Sequence, residues 1–310
     1  MSIVSGLVRA LQIVSVMARR FPRHAGTILR QTVKSDPADY YTFVGTDLVS
    51  FRGSDLDESR AHWLNIGDWR TARTYDAACT ALADRLADGA RLTAADEVLD
   101  AGFGFGDQDF HWLETGRAKR ITGVNVTPLH VGVARRRARS RGLSARARFL
   151  LASATELPAK NAFFDKVISL EAACHFRTRD LFFGEAFRVL KPGGWIGLTD
   201  VIPLPGDRVN GLIAKIERRF NAFPEENLYD RDEYARRLQT AGFVDITVTS
   251  IRKDVFPGMA KFIAAKKRGE DASRIVVDLT PDEIERCAGD EIWTRQGIGD
   301  YVLVSARKPV

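Results

Sequence analysis

Three cysteines in 310 residues, Cys79, Cys174 and Cys287, lie far apart, and none belongs to a CxxC pair or a cysteine–histidine ligand spacing. That scarcity excludes a disulfide framework and a zinc site, and a reducing cytoplasm is the expected compartment. Internal repeats and low-complexity segments are also missing. Long uninterrupted apolar runs are absent as well. The first residues, "MSIVSGLVRALQIVSVMARRFPRH", place Ile3, Val4, Leu7, Val8, Leu11 and Val14 on one helical face, but Arg9 interrupts them, so a spanning helix is not expected. Arg19, Arg20 and Arg23 follow the apolar stretch, whereas a secretory signal carries its charge in front, and no small-residue cleavage site is evident. The segment reads as a core or lid helix; the alternative is a peripheral contact with an anionic membrane surface through residues 1–24.

Against those absences stands a composition that is 45% hydrophobic, enough for a real core, in a length that suits one large domain or two ordinary ones at about 150 residues each. Basic residues outnumber acidic ones by 46 to 40, a net +6 that would favour an anionic partner without naming it. Much of the excess sits in "RRRARSRGLSARAR" (135–148). This run falls on a helix and its exit, with Val131, Val133, Ala134 and Ala138 as packing residues. It therefore reads as a solvated flank rather than a phosphate track, and no nucleic-acid partner is expected.

From residue 96 onward two periodicities alternate. "DEVLDA" (96–101), "RITGVNV" (120–126), "ARFLLA" (147–152), "DKVISLE" (165–171) and "WIGLTDV" (195–201) are short apolar runs separated by helix-like stretches at 106–117, 128–142 and 178–190. This is the pattern of βαβ units. Further strands are predicted at 244–251 and 300–306 as one edge of the same sheet, with a helix over 231–241 stopped by Gly242. The expected fold is α/β, a Rossmann-like doubly wound, seven-stranded, mostly parallel sheet with helices on both faces, plus an N-terminal helical cap. Residues 1–90 are assigned to that arm and cap and 91–310 to the main domain, with a cap insertion near 203–230.

In such a sheet ligands bind beyond the carboxyl ends of the strands. The rule gathers Asp100, Gly102, Gly104 and Gly106 after the first strand, Asn125 after the second, and Ser153 and Ala154 after the third. It adds Glu171 to His175 after the fourth and Asp200 on the fifth. The glycines let a ligand touch bare backbone, while the following helix offers its N-terminal amides. A dinucleotide fingerprint wants its third glycine three residues after the second, and position 107 is Asp107. Asp100 would repel a pyrophosphate but suits an ammonium group.

These segments resemble the class I S-adenosylmethionine-dependent methyltransferases over roughly residues 60–250. "EVLDAGFGFGDQ" is similar to that family's first motif, "ITGVNVTP" to its ribose-binding strand end, "LLASATELP" to its adenine-side segment, "DKVISLEAACHF" to its fourth strand and "VLKPGGWIGLTDV" to its fifth. "GFGFGDQDF", "GVNVTP" and "HWLNIGDW" resemble the branch of macrolide-sugar and bacterial fatty-acid O-methyltransferases. The resemblance implies S-adenosyl-L-methionine as cofactor and S-adenosyl-L-homocysteine as product. Asp100, Gly102, Gly104, Gly106, Gln108, Asn125, Val126, Ser153, Ala154 and Glu171 are then its expected contacts. Asn125 and Ser153 stand where the family commonly has acids, which predicts a weaker grip, offset by Trp63 or Trp69 closing from the cap.

The implied chemistry is methyl transfer to an oxygen of an apolar small molecule, a fatty acid, a polyketide or a natural-product sugar. Carbon or nitrogen acceptors are the alternative, followed by a non-catalytic cofactor- or RNA-binding scaffold and, last, a nicotinamide oxidoreductase. An alcohol needs its proton removed, and His175 is the candidate base, against the alternative that it merely caps or ties its loop. Tyr40, Tyr41, Trp63 and Asp200 are candidates for the acceptor side. His111 and Trp112 read as core or supporting residues, and His130 as a surface residue.

Overall fold

The computed structural model describes residues 34–43, 60–206, 212–288 and 298–310, together with Gly26 and Arg30; the amphipathic stretch of residues 1–24 lies outside the described residues. Seven strands are present: β1 (Glu97–Ala101), β2 (Arg120–Asn125), β3 (Ala147–Leu151), β4 (Phe164–Leu170), β5 (Leu190–Ile202), β6 (Val244–Ser250) and β7 (Asp300–Arg307). They form one sheet in the order β3-β2-β1-β4-β5-β7-β6. Pairing is parallel from β3 through β5, and β7 runs antiparallel to both β5 and β6. In the centre Asp100 stands opposite Gly123 on one side and Ile168 on the other.

The strands follow from their composition. β1 is buried from Val98 to Ala101, the near-continuous apolar run that a two-sided central strand requires, whereas edge strand β6 alternates exposed and half-buried residues along "VDITVTS". Successive side chains point to opposite faces, so Val98 and Ile168 enter one core while Leu99 and Val167 enter the other. β5 begins earlier than the apolar run predicts, because Leu190 already pairs with Phe164 ahead of an irregularity in the register.

The helices are α1 (Pro37–Phe43), α2 (Tyr75–Gly89), α3 (Asp107–Glu114), α4 (Pro128–Ser140), α5 (Arg179–Val189), α6 (Leu212–Phe220), α7 (Arg231–Thr240), α8 (Arg252–Lys267) and α9 (Pro281–Ala288). Thr74, Thr178 and Asp230 cap α2, α5 and α7 by accepting a bond from a backbone amide in the first turn. One face of the sheet carries α2, α3, α4 and α8, the other α5 and α7. α2, which the sequence assigns to the cap, instead lies in this covering layer, with Leu82 and Leu86 fully buried.

α8 has no counterpart in the sequence reading, where Pro257 hides it. Its Val255, Met259 and Phe262 recur at helical spacing and are buried, so packing overrides the proline. Among the described residues no helix is long and apolar enough to cross a membrane.

Candidate active site

A cavity of about 420 Å³ opens at the carboxyl ends of β1 to β4, where the strand order reverses between β1 and β4. Gly102 and Gly104 line it in left-handed conformations, at φ of +96° and +55°. A Cβ at Gly102 would meet that of Ala172 at 2.2 Å, and one at Gly104 would reach Leu64 at 3.1 Å, so bare backbone is a condition of the wall. Gly106 is different. It is the N-cap of α3 and lies against Phe110 and Phe149, outside the cavity lining, so packing rather than a ligand removes its side chain.

The turn is fixed by Arg137. Its guanidinium donates to both oxygens of Asp107 at 2.7 and 2.9 Å, to the Phe105 carbonyl at 2.8 Å and to the Arg60 carbonyl at 3.0 Å. The backbone amide of His62 donates to the same Asp107 carboxylate at 3.1 Å. Arg137 is fully buried, which corrects the expectation of a wholly solvated arginine face. Helical spacing carried the signal: His130, Ala134 and Arg137 share the inward side of α4.

At the end of β2 the Asn125 carboxamide accepts from the Thr127 amide at 2.9 Å and its nitrogen lies 3.4 Å from His130 Nδ1. His130 lines the cavity, with its ring 4.4 Å from that of Phe105 and 5.8 Å from Tyr41. It is a buried residue, not the surface residue expected, and burial pushes its pKa down to about 3, which keeps it neutral. Ser153 and Ala154 bound the β3 side, the Ser153 hydroxyl sharing a hydrogen bond with Thr155.

At the end of β4 the Glu171 carboxylate accepts from the Ile66 amide at 2.9 Å and from the Tyr301 hydroxyl, tying the 62–69 segment and β7 to one wall. Burial raises it to about 7 despite those two bonds, which act the other way. His175 Nδ1 faces the Ala222 carbonyl at 3.2 Å, and a carbonyl only accepts, so Nδ1 carries the hydrogen. Nε2 is left as the acceptor of the Tyr41 hydroxyl at 2.7 Å. The imidazole stacks on Phe223 at 4.8 Å and 11°, and burial depresses its pKa to about 4. α1 brings Tyr41 over the cavity, and Arg177 holds that arm by donating to the Lys34 and Ser35 carbonyls.

The methyltransferase domain family model matches residues 99–198, the span from β1 through the glycine turn into β5. Erythromycin 3''-O-methyltransferase of Saccharopolyspora erythraea is 38% identical over 256 residues, 80% of this chain and 84% of that protein. The chain belongs to the S-adenosylmethionine-dependent methyltransferases. The methyltransferase is also 30% identical to 27-O-demethylrifamycin SV methyltransferase of Amycolatopsis mediterranei, over 82% of this chain and 93% of the relative. In fold it is similar to the [4+2]-cyclase SpnF, with a TM-score of 0.66, 24% identity and coverage of 89% of this chain and 97% of that one. The geranyl diphosphate C-methyltransferase of Streptomyces coelicolor A3(2) has a TM-score of 0.57, 21% identity and coverage of 76% and 77%.

The cavity of the methyltransferase fits the cofactor. Backbone is laid bare at Gly102 and Gly104, and the Gln108, Asn125 and Ser153 side chains supply neutral donors and acceptors around it. Of the residues singled out in the sequence, Gly102, Gly104, Gln108, Asn125, Val126, Ser153, Ala154, Glu171, Tyr41 and His175 all line it.

Asp100, Trp63, Trp69, Tyr40 and Asp200 do not. Asp100 is fully buried behind Gln108, whose amide donates to it at 3.0 Å. Trp69 packs in the core, its ring pressed on Gly258 and its indole N–H donated to the Ile66 carbonyl at 2.8 Å, so it closes over nothing. Trp63 is likewise buried, edge-on to His111. Tyr40 stands behind Tyr41, at 5.1 Å between ring centres. Asp200 accepts from Arg179 at 2.7 Å and from the Tyr234 hydroxyl at 3.1 Å; Arg179 and Asn227 then hold the loop that carries His175.

Proposed function

We propose that this methyltransferase transfers the methyl group to a hydroxyl oxygen of a polyketide or glycosylated natural product. The observation that carries the reading is the Tyr41–His175 hydrogen bond on the wall of the cavity, which gives an alcohol a path for its proton. The relatives named for O-methylation of erythromycin and demethylrifamycin, aligned over four-fifths of the chain, support the choice of oxygen and of acceptor class. Residues 1–24, with their apolar face and flanking arginines, suit a peripheral membrane contact during capture of such a lipophilic acceptor, tested by liposome co-sedimentation after their deletion.

S-adenosyl-L-methionine supplies an electrophilic methyl on a sulfonium, an in-line displacement for which alignment and exclusion of water provide most of the rate. The glycine turn, Gln108, Asn125, Val126, Ser153, Ala154 and Glu171 hold the nucleoside side of the cavity. Tyr41, His175 and the α1 arm cover the acceptor side. The acceptor hydroxyl donates to Tyr41 Oη, and the Tyr41 proton lies on the bond to His175 Nε2. As the new C–O bond forms, the acceptor oxygen becomes strongly acidic, and its proton passes through Tyr41 to the imidazole. A nitrogen with a pKa of about 4 is adequate for that transfer, because it only receives a proton from an oxygen already bearing positive charge.

The test is incubation with isotopically labelled donor and a panel of macrolides, phenols and fatty acids, followed by mass spectrometry. A labelled methyl ether on a macrolide or its sugar is the expected product. Label on carbon or nitrogen, or only on a fatty-acid carboxylate, overturns the reading.

A further inference from the structure

Under the glycine turn lies a charge arrangement that methyl transfer does not use. Asp100 of β1 and Asp109, in the first turn of α3, are both fully buried. Gln108 donates to one oxygen of Asp100 at 3.0 Å. Taken as two carboxylates, the other Asp100 oxygen and both Asp109 oxygens have no donor among the described residues. With a single proton between them, a carboxyl–carboxylate hydrogen bond joins the two side chains.

Among the described residues no cation is paired with either carboxyl. Asp107 on the same helix is engaged by Arg137 of α4, and His111 of α3 by Asp84 of α2. Glu171, at the end of β4, is tied to Ile66 and Tyr301, and His130 of α4 is neutral. Two like charges this close in a dry site cannot both be carried: burial raises both groups, repulsion from Asp100 and Asp107 raises Asp109 further, and the bonds from Asp109 and Gln108 pull Asp100 back to about 7.

We propose that Asp109 stores a proton beneath the glycine turn, leaving Asp100 as the one group there that ionises when the donor binds. Association is then linked to the release of that proton to solvent. Asp109 is a positioning residue in this scheme, for its carboxyl donates to Asp100 and holds the single negative charge next to Gln108 and the cradle. A cationic centre of the donor, sulfonium or ammonium, is attracted to Asp100 only in its ionised form. Below the ionisation of Asp100 the affinity therefore rises about tenfold per pH unit, and above it the affinity levels off. The proposal rests on the cofactor assignment made above.

The experiment is titration calorimetry of the full chain with S-adenosyl-L-methionine, from pH 5.5 to 8.5, in buffers of differing ionisation enthalpy. One proton released per donor at the acid end and none at the alkaline end is expected. Asp100→Asn abolishes the release. Asp109→Asn, whose amide still donates to Asp100, keeps a wild-type curve, and Asp109→Ala moves the curve to higher pH. Release with S-adenosyl-L-homocysteine as well assigns the linkage to the ammonium, and release with the donor alone assigns it to the sulfonium. Binding with no proton release at any pH, or release that survives Asp100→Asn, overturns the linkage and leaves the cofactor assignment standing. Absence of any binding heat overturns both.

Discussion

His175 is an acceptor in this geometry because the Ala222 carbonyl commits its other nitrogen to carrying hydrogen. Replacing it by alanine is expected to lower kcat on a hydroxyl acceptor by about 10²-fold, as loss of a general base does. Tyr41→Phe is expected to act in the same direction, with donor affinity from calorimetry changing much less in both variants. Since the imidazole must be neutral and its pKa is about 4, kcat falls only as pH drops through that value and stays flat toward neutrality. A profile with an inflection near 6.5 would contradict a depressed, buried imidazole at His175. Arg137 is the opposite kind of residue, holding the glycine turn that lines the cavity without lining it itself. Asp107→Asn leaves a buried guanidinium without its charge partner and is expected to cost about 3–5 kcal/mol, read from urea unfolding.

Among the elements, the turn after β1 shows how like residues in one motif do different work. Gly102→Ala combines a left-handed backbone with a 2.2 Å approach to Ala172 on the neighbouring loop. It should weaken donor binding as well as lower Tm. Gly106→Ala pays only the local cost, about 1–2 kcal/mol for its positive φ plus crowding against two phenylalanines, and should lower Tm with donor affinity preserved. Thermal denaturation with and without donor separates the two. The strand pattern was legible because buried parallel strands write themselves as apolar runs. α8 was not, because Pro257 breaks its local propensity and only the sheet face beneath it selects the helix. The strand-end rule brought Asn125, Glu171 and His175 to the wall of the cavity. It misplaced Asp200, whose strand position was right but whose carboxylate is consumed by Arg179, a partner 21 residues away in sequence.

For the molecule as a whole, the buried histidines and the buried acids act on stability in opposite senses as pH changes. His130 and His175 are depressed to about 3 and about 4, so the fold holds them neutral; their contribution is complete above their unfolded value near 6.5 and is lost on acidification. Glu171 is raised to about 7, so its protonated form favours the fold at low pH and that contribution is lost as pH rises toward 7, the direction shared by the Asp100–Asp109 pair. The two sets titrate over the same window, about pH 4 to 7, with opposite slopes, so Tm measured from pH 4 to 9 should not rise steadily, and a curve that does rise to pH 9 would contradict the assignment of the acids. Donor at 100 times its Kd should add about 2.7 kcal/mol to stability, and one fixed donor concentration should stabilise more at alkaline pH, where Asp100 is already ionised, than at acid pH.

By itself the sequence determined the alternation of strands and helices, the parallel centre with the C-terminal pair at its edge, and the five motifs that carry the family. These are local patterns, written in residue spacing and in the absence of side chains where backbone must come close. Only the tertiary structure decided which charges are spent. Arg137 and Asp200 became structural, Trp69 became core, His130 moved into the cavity, and Asp100 and Asp109 were buried together without a cation. Pairing and burial are properties of neighbours distant in the chain, and electrostatic roles in a dry interior follow from neighbours rather than from residue type.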